Sequence, residues 1–320
     1  MIVNSRATSS LSLTQILKGL GGLVLAVGLA ACQSSGDDSA SESVPPVVEV
    51  TAVDYAFAAP DTVRSGWTTL RMINKGSEHH HFHLFRLPPD KSFADYRDAL
   101  LAPVDSVRSL IADGTIDSAR ADRAISQSVA DWVGPRVLEA QGGVGAVVPG
   151  DTGQATVRLP PGTYVMDCGI PTPDGTPHWM LGMVRGLTVT DDSTQAVPPS
   201  ADATLRASGR EIVVDGKLTP GINTLRFVVE EVPEGVPDSS YFAWPVRLNP
   251  DATLDEIVAW MKEAQARGPS TPAPARFLGG FEYLPARQPA YFTVDLSSGR
   301  HGVVWGYLGG SFHTKELIVE

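Results

Sequence analysis

The residues best suited to chemistry in this chain carry sulfur and imidazole groups and lie in two short stretches. Cys168, His178 and Met183 fall between positions 164 and 183, and positions 78–83 read Glu-His-His-His-Phe-His. The two stretches together hold five of the seven histidines. A thiolate, imidazoles and a weak axial thioether suit copper, because soft sulfur stabilises Cu(I) while nitrogen serves both oxidation states. They predict one copper site.

The other cysteine, Cys32, stands at the end of an apolar segment. The segment follows Arg6 and Lys18 and ends in Leu-Ala-Ala directly before Cys32. A basic start, a short apolar stretch and small residues at the cleavage point are typical of an export signal, and Leu-Ala-Ala-Cys resembles the bacterial lipobox. We therefore predict that residues 1–31 are a lipoprotein signal peptide and that Cys32 is lipidated.

After such processing, Cys168 is the only thiol of an exported protein. A lone cysteine in an oxidising compartment has no internal disulfide partner and needs another reason to persist. Metal ligation is one reason. A small buried apolar side chain is the alternative, in which Cys168 serves packing alone.

The segment before Cys32 is shorter than the roughly twenty residues that cross a bilayer. We therefore predict a lipid-anchored chain whose residues 32–46, rich in Ser and Asp, form a flexible acidic tether. Within the cell envelope, Gln33 instead of Asp after the lipobox cysteine favours the outer membrane, so the predicted location is the outer membrane, facing the periplasm or the cell surface.

The charge of the chain limits its partners. The formal net charge is −11, and loss of Arg6 and Lys18 with the signal makes it more negative by two. An acidic surface argues against nucleic acid and anionic lipid headgroups and favours a basic redox or copper-handling protein.

An internal repeat divides the remaining chain. Four pairs of segments match in the same order: 65–73 with 220–228, 86–93 with 247–254, 157–162 with 294–299, and 186–189 with 316–319. We predict a first domain over 47–190, a Pro/Ser/Asp/Thr-rich linker over 191–203 and a second domain over 204–320.

Short β-branched or alternating segments separated by Gly, Pro and Asp turns dominate both copies, which predicts a mainly β protein. Ser92 and Thr253 each begin a capping-box pattern that precedes apolar residues at helical spacing. The predicted architecture is therefore an antiparallel Greek-key β-sandwich with a helical insertion, present twice.

The segments 74–85, 159–168 and 177–183 resemble the cupredoxin family, of which plastocyanin is a member. Asn74-Lys75-Gly76 is similar to the Asn-x-Gly turn before the first copper histidine, and Cys168, His178 and Met183 are similar to that family's ligand loop. The nine residues between Cys168 and His178 exceed the family's usual spacing, and three prolines are expected to help them fold back. The resemblance implies a cupredoxin domain with one copper ion.

The repeat also bears on which histidine is the remaining ligand. Opposite the histidine stretch, the second copy has Phe242 and Trp244, and opposite Cys168 it has Trp305, so we predict a second copy without ligands. Strand alternation then favours His81 as the ligand, with His79 next. His80 is predicted to face outward, and a solvated histidine run remains the alternative.

Two functions remain open. The first is a membrane-anchored copper protein that transfers single electrons or holds and delivers copper. The second is a metal-free interaction module on the envelope surface, since a fold does not dictate a function. An enzymatic role ranks third, because an open second copper would need more histidines than the first copy can spare.

Overall fold

The computed structural model describes residues 43–320, except 102, 105, 106, 108, 111, 112, 117, 134–137, 233, 235–239, 298 and 308. The predicted signal peptide, the lipidation site Cys32 and nearly all of the tether lie outside the described residues. Among the described residues, no helix is both long and apolar enough to cross a bilayer.

Within the described range the first copy has eight strands, two α-helices of 9 and 16 residues and a 3-10 helix at His178–Leu181. The strands are β1 (Val47–Val53), β2 (Ala56–Ala58), β3 (Thr62–Asn74), β4 (His80–Arg86), β5 (Glu139–Val147), β6 (Thr152–Leu159), β7 (Gly162–Asp167) and β8 (Val184–Ser193). The helices α1 (Phe93–Leu101) and α2 (Ser118–Val133) lie between β4 and β5.

The second copy repeats this order with one additional short strand and with one α-helix among the residues described. Its strands are β9 (Ala203–Ser208), β10 (Glu211–Gly216), β11 (Ile222–Glu231), β12 (Tyr241–Leu248), β13 (Ala275–Phe277), β14 (Phe281–Leu284), β15 (Ala290–Asp295), β16 (His301–Tyr307) and β17 (His313–Leu317). Helix α3 (Leu254–Arg267) follows β12. The prediction of a mainly β protein with a helical insertion in each copy is confirmed.

The predicted capping boxes form at the starts of α1 and α3. The Thr253 hydroxyl accepts a hydrogen bond from the Glu256 amide, and the Glu256 carboxylate accepts one from the Thr253 amide. Ser92 and Asp95 exchange the same pair of bonds at the start of α1. Each box satisfies amides that the first helical turn leaves without partners.

Two sheets run through both copies. One has the strand order β2-β1-β3-β6-β15-β11-β9-β10. The other runs β8-β7-β4-β5-β14-β12-β16-β17, with β13 also beside β12 and the start of β3 beside β8. A single buried cluster, which includes Leu70, Phe82, Phe227 and Trp305, fills the space between them.

The sheets are mixed, whereas the sequence predicts antiparallel pairing alone. Strand β3 pairs in parallel with β1 and β8, and β9 pairs in parallel with β11. Strand β3 takes part in both sheets, and Gly66, with a φ of 107°, lies where it passes from one to the other. The part of β3 before Gly66 lies in the second sheet and there gains β8 as a parallel neighbour.

The strand registers of the two copies correspond. Arg86 lies opposite Tyr164 across β4 and β7, and Arg247 lies opposite His301 across β12 and β16. Between the copies, β5 pairs with β14 at Val144 and Phe281, and β6 pairs with β15 at Ala155 and Phe292. The domain bounds inferred from the repeat stay a prediction.

Candidate metal centre

The turn before β4 is held by the side chain of Asn74. Its amide nitrogen donates to the carbonyls of Glu78 and Val147, both at 2.8 Å, and its oxygen accepts from the Gly76 amide at 2.9 Å. Asn74 is fully buried, so water does not compete for these bonds. The turn therefore enters β4 in a fixed position and sets the places of Glu78 and His80.

The loop from Cys168 to His178 folds back on itself. Pro171 and Pro177 form an isolated antiparallel bridge, and the Thr172 amide donates to the Thr176 carbonyl. The His178 amide then donates to Ile170 at 3.0 Å, and the Trp179 amide donates to Cys168 at 2.9 Å. The long spacing between Cys168 and His178 thus forms a closed hairpin that returns His178 to the thiol.

Three candidate ligand atoms converge at this point. His80 Nδ1 lies 3.1 Å from His178 Nδ1, and Cys168 Sγ lies 3.4 Å from His178 Nδ1 and 3.9 Å from His80 Nδ1. The centre of this triangle is about 2.0 Å from each atom, close to metal–nitrogen bonds of about 2.0–2.1 Å and metal–sulfur bonds of about 2.3 Å. All three side chains are fully buried.

Carboxylates hold the outer nitrogens of both imidazoles. Asp54 Oδ1 lies 2.7 Å from His80 Nε2, and Glu78 Oε2 lies 2.8 Å from His178 Nε2. A carboxylate only accepts, so each Nε2 carries the hydrogen and each Nδ1 presents its lone pair to the centre. Tyr55 further fixes Glu78, since its hydroxyl donates to Oε1 at 2.9 Å.

The environment sets the protonation of these groups. Burial lowers the pKa of His80 and brings that of His178 to about 4, although Asp54 and Glu78 oppose the effect. Burial also raises the pKa of the Cys168 thiol. For Asp54, burial acts upward, but hydrogen bonds from Ser77 and His80 bring the pKa down to about 2. At neutral pH the metal-free site therefore holds neutral imidazoles, a thiol and an ionised Asp54.

Met183 lies at the end of the same loop. It is fully buried, its amide donates to the His178 carbonyl at 3.1 Å, and its carbonyl accepts from the Cys168 amide at 3.3 Å. The residues that precede and follow the hairpin are thereby tied together. His80, Cys168, His178 and Met183 form an arrangement like that of a type 1 copper site.

This donor set fits copper. Two imidazole nitrogens and a thiolate in a plane, with a thioether nearby, match the ligand types and the trigonal geometry of such sites. His80, His178 and Cys168 would hold the ion and Met183 would stand as the weak fourth ligand. A bound copper ion supplies one-electron chemistry.

The prediction of His81 or His79 beside Cys168 differs from what the structure shows. His81 and His83 turn to the opposite side of β4, where a ring nitrogen of each comes close to Glu282. His79 is half-buried and packs edge-on against Phe277, with ring centroids 5.9 Å apart. His80, predicted to face outward, is the histidine that lies beside Cys168 and has no exposed surface.

The physical reason is that β4 is covered on both faces. His80, Phe82 and Leu84 face the core of the first copy, whereas His81 and His83 face the second copy. The apolar side chains of Phe242 and Trp244 in the second copy likewise lie outside the core cluster that holds Tyr241 and Ala243. The apolar face that contains Phe242 and Trp244 therefore contacts the other copy and is not the core face of the second copy.

Sequence reasoning missed the carboxylates. Asp54 and Glu78 orient the candidate ligands, and Glu282 comes from the second copy. Glu78 stands directly before the histidine stretch, which is a signal available in the sequence. No sequence signal marks Asp54 and Glu282, because only the fold brings them to β4.

Among its described residues, the second copy has no equivalent donor set. By the matched registers, Tyr241 stands where the first copy has His80, and Trp305 stands where it has Cys168. Both are buried, and Trp305 packs against His313 with ring centroids 5.0 Å apart. Aromatic bulk thus fills the position of the candidate site.

No family model matches the chain, and no curated protein matches it. Several solved structures align with it. They include reduced auracyanin from Roseiflexus castenholzii (20% identity, 46% of this chain, 98% of that chain, TM-score 0.27) and a multicopper oxidase (14%, 85% and 88%, 0.24). A copper nitrite reductase from Nitrosomonas europaea aligns at 13% identity over 86% of this chain and 94% of its own, with a TM-score of 0.22.

Proposed function

We propose that this chain is a lipid-anchored copper protein that transfers single electrons through His80, Cys168, His178 and Met183. One observation carries the proposal: two imidazole nitrogens and one sulfur meet around a common centre, and each imidazole is oriented from behind by a carboxylate. Such outer contacts fix the tautomer and the ring direction of a ligand histidine.

The fixed framework favours electron transfer over transient copper delivery. The ligands are buried and held by Asn74, the loop hairpin and two carboxylates, so the geometry changes little when the charge of the ion changes. Sulfur favours the reduced ion and nitrogen accepts both states, which allows the potential to be set by the surroundings of Cys168.

The cellular setting is part of the proposal. Cys32 follows a lipobox-like sequence, and the tether after it would hold the folded part away from the lipid surface. The acidic surface supports a basic redox protein as the partner. Cys32→Ser should release the chain from the membrane fraction, and unchanged partition into detergent would count against lipidation.

Copper loading of the full chain tests the metal site. We expect one copper per chain and an intense visible absorption from sulfur-to-copper charge transfer. Cys168→Ser should abolish that absorption, because the band requires the thiolate. Cys32→Ser is the control, since it replaces the other cysteine of the chain and should leave the absorption unchanged.

Colourless wild-type protein without bound copper contradicts the proposal. The same applies if Cys168→Ser keeps both the spectrum and the affinity, because the metal would then be held elsewhere.

A further inference from the structure

Glu282 is a fully buried carboxylate from β14 with one oxygen engaged and one free. Its Oε1 accepts hydrogen bonds from Trp244 Nε1 at 2.7 Å and from His81 Nδ1 at 2.8 Å. Its Oε2 has no hydrogen-bond partner in the described part of the chain. Two donors therefore fix the direction in which the free oxygen points.

His83 is oriented in the same way from the other side. Its Nδ1 donates to Asp167 Oδ1 at 2.8 Å, and its ring stacks on Tyr283 with centroids 4.5 Å apart. Since Nδ1 carries the hydrogen, Nε2 is the nitrogen that can offer a lone pair to a metal ion, and this buried nitrogen also has no hydrogen-bond partner among the described residues.

The two free atoms face each other. His83 Nε2 and Glu282 Oε2 are 3.6 Å apart, which is too long for a hydrogen bond. Two ligands of a tetrahedral ion at about 2.1 Å stand about 3.4 Å apart. A cation between them would satisfy both atoms at ordinary bond lengths, whereas two buried polar atoms without a partner are costly.

We propose that His81, His83 and Glu282 form a second metal site, between the two copies, for a divalent transition ion such as Zn²⁺. The ligand atoms that the three residues offer lie within 4.8 Å of one another, and all three side chains are buried. His83 and Glu282 are already oriented. His81 joins through Nδ1 when the hydrogen that it donates to Glu282 moves to Nε2, and Nε2 then no longer accepts from the Gly169 amide.

The donor types decide the class of ion. Two imidazoles and one carboxylate, without sulfur, suit divalent Zn²⁺, Cu²⁺ or Fe²⁺ and do not favour Cu(I). Asp167 behind His83 and Trp244 behind Glu282 give these two ligands the outer hydrogen bond that metal ligands ordinarily have. The site does not depend on copper at Cys168.

Zinc binding to the full chain carrying Cys168→Ser tests this site separately from the copper site. Equilibrium dialysis with Zn²⁺ should give one tightly bound ion per chain. Adding Glu282→Gln removes the negative charge but keeps an oxygen that accepts from Trp244. The affinity for Zn²⁺ should fall by more than about 100-fold, because loss of a residue that only orients a ligand already costs about 10–100-fold. Glu211→Gln, on an exposed strand residue, is the control.

Zinc affinity that is equal with and without Glu282→Gln overturns the proposal. Because the double variant can lose its fold, anomalous diffraction from zinc-soaked crystals of the wild-type chain provides a second measurement. A zinc peak between His83 Nε2 and Glu282 Oε2 supports the site. Absence of that peak means that the pair is an imidazolium and a carboxylate only, and also overturns it.

Discussion

Glu78 Oε2 lies 2.8 Å from His178 Nε2, although the two residues are 100 positions apart in the chain. The backbone carbonyl of Glu78 is held by Asn74, and its other carboxylate oxygen is held by Tyr55. Glu78 therefore connects the turn that precedes β4 to the hairpin that carries His178, and it places a negative charge behind a candidate copper ligand.

Removing that charge should raise the reduction potential. Glu78→Gln retains a hydrogen-bond acceptor of similar size but no longer stabilises the more positive Cu(II) state. We expect copper to remain bound with an affinity for Cu(II) lower by about 10–100-fold. Potentiometric titration and competition with a chelator measure the two effects. Glu211→Gln should change neither, and a fall in potential contradicts the assignment.

Two neighbouring histidines should differ sharply in their effect on copper. His80→Ala removes a ligand nitrogen and should lower copper affinity by more than about 100-fold. His81→Gln alters the opposite side of β4 and should leave the charge-transfer band in place. Titration with copper followed by absorption distinguishes them. If the band is lost in His81→Gln and survives in His80→Ala, then His81, which strand alternation predicts, is the copper ligand.

Gly76 leaves room for the pair formed by Asp54 and His80. A Cβ at position 76 would stand 2.2 Å from Asp54 Oδ1 and 2.6 Å from His80 Nε2. Gly76→Ala should therefore displace the imidazole, weaken copper binding and cost about 1–3 kcal/mol of unfolding free energy. Chemical denaturation and copper titration measure these changes.

Gly150→Ala provides the control for Gly76. Position 150 has a φ of 81° and open space around it, so alanine costs roughly 1–2 kcal/mol through backbone strain alone. Copper affinity should be unaffected in this variant. If both variants weaken copper equally, the close contact at Gly76 is not what matters.

Met183→Leu should separate copper affinity from redox potential. Leucine nearly conserves the volume, so the buried position should cost less than about 1.5 kcal/mol. The thioether is the weakest ligand of such a site. Copper should stay bound while the potential rises, as measured by voltammetry. Complete loss of copper would show that Met183 does more than occupy the weak axial position.

Copper binding should release about one proton at pH 7. Burial keeps the Cys168 thiol protonated in the metal-free protein and keeps His80 and His178 neutral, the pKa of His178 lying at about 4. Only the thiol then loses a proton, and affinity should rise about tenfold per pH unit. Below about pH 4, protonated His178 adds to the release.

Calorimetry in buffers of different ionisation enthalpy counts these protons. Release of two or three protons at pH 7 would mean that the imidazoles are charged in the metal-free site.

Much of the candidate site can be predicted from residue types and spacing. The sulfur of Cys168 and Met183 and the imidazole of His178 are specific enough to predict a metal site. The turn at Asn74 predicts where β4, the strand that carries the other ligand, begins. The capping residues Ser92 and Thr253 also act locally, so the sequence shows where the helices start.

The choice among the histidines cannot be made in this way. Alternation along a strand separates inside from outside only when one face meets water, and β4 has a protein layer on each side. Its pairing with β5 also shifts register between His80 and Phe82 and again between His83 and Phe85. The partner carboxylates Asp54 and Glu282 depend on contacts between distant segments.

The pairing of β5 with β14 and of β6 with β15 joins corresponding residues of the two copies, as a twofold axis joins the subunits of a symmetric dimer. Here both halves belong to one chain and can differ. The counterpart of Glu282 is Gly145, and that of His83 is Trp244, so one side of the axis carries a buried carboxylate facing imidazole. On the other side, a Cβ at Gly145 would stand 2.5 Å from the Trp244 ring. Two identical subunits could not build this asymmetry, whereas a fused pair can keep chemistry in one half and packing in the other.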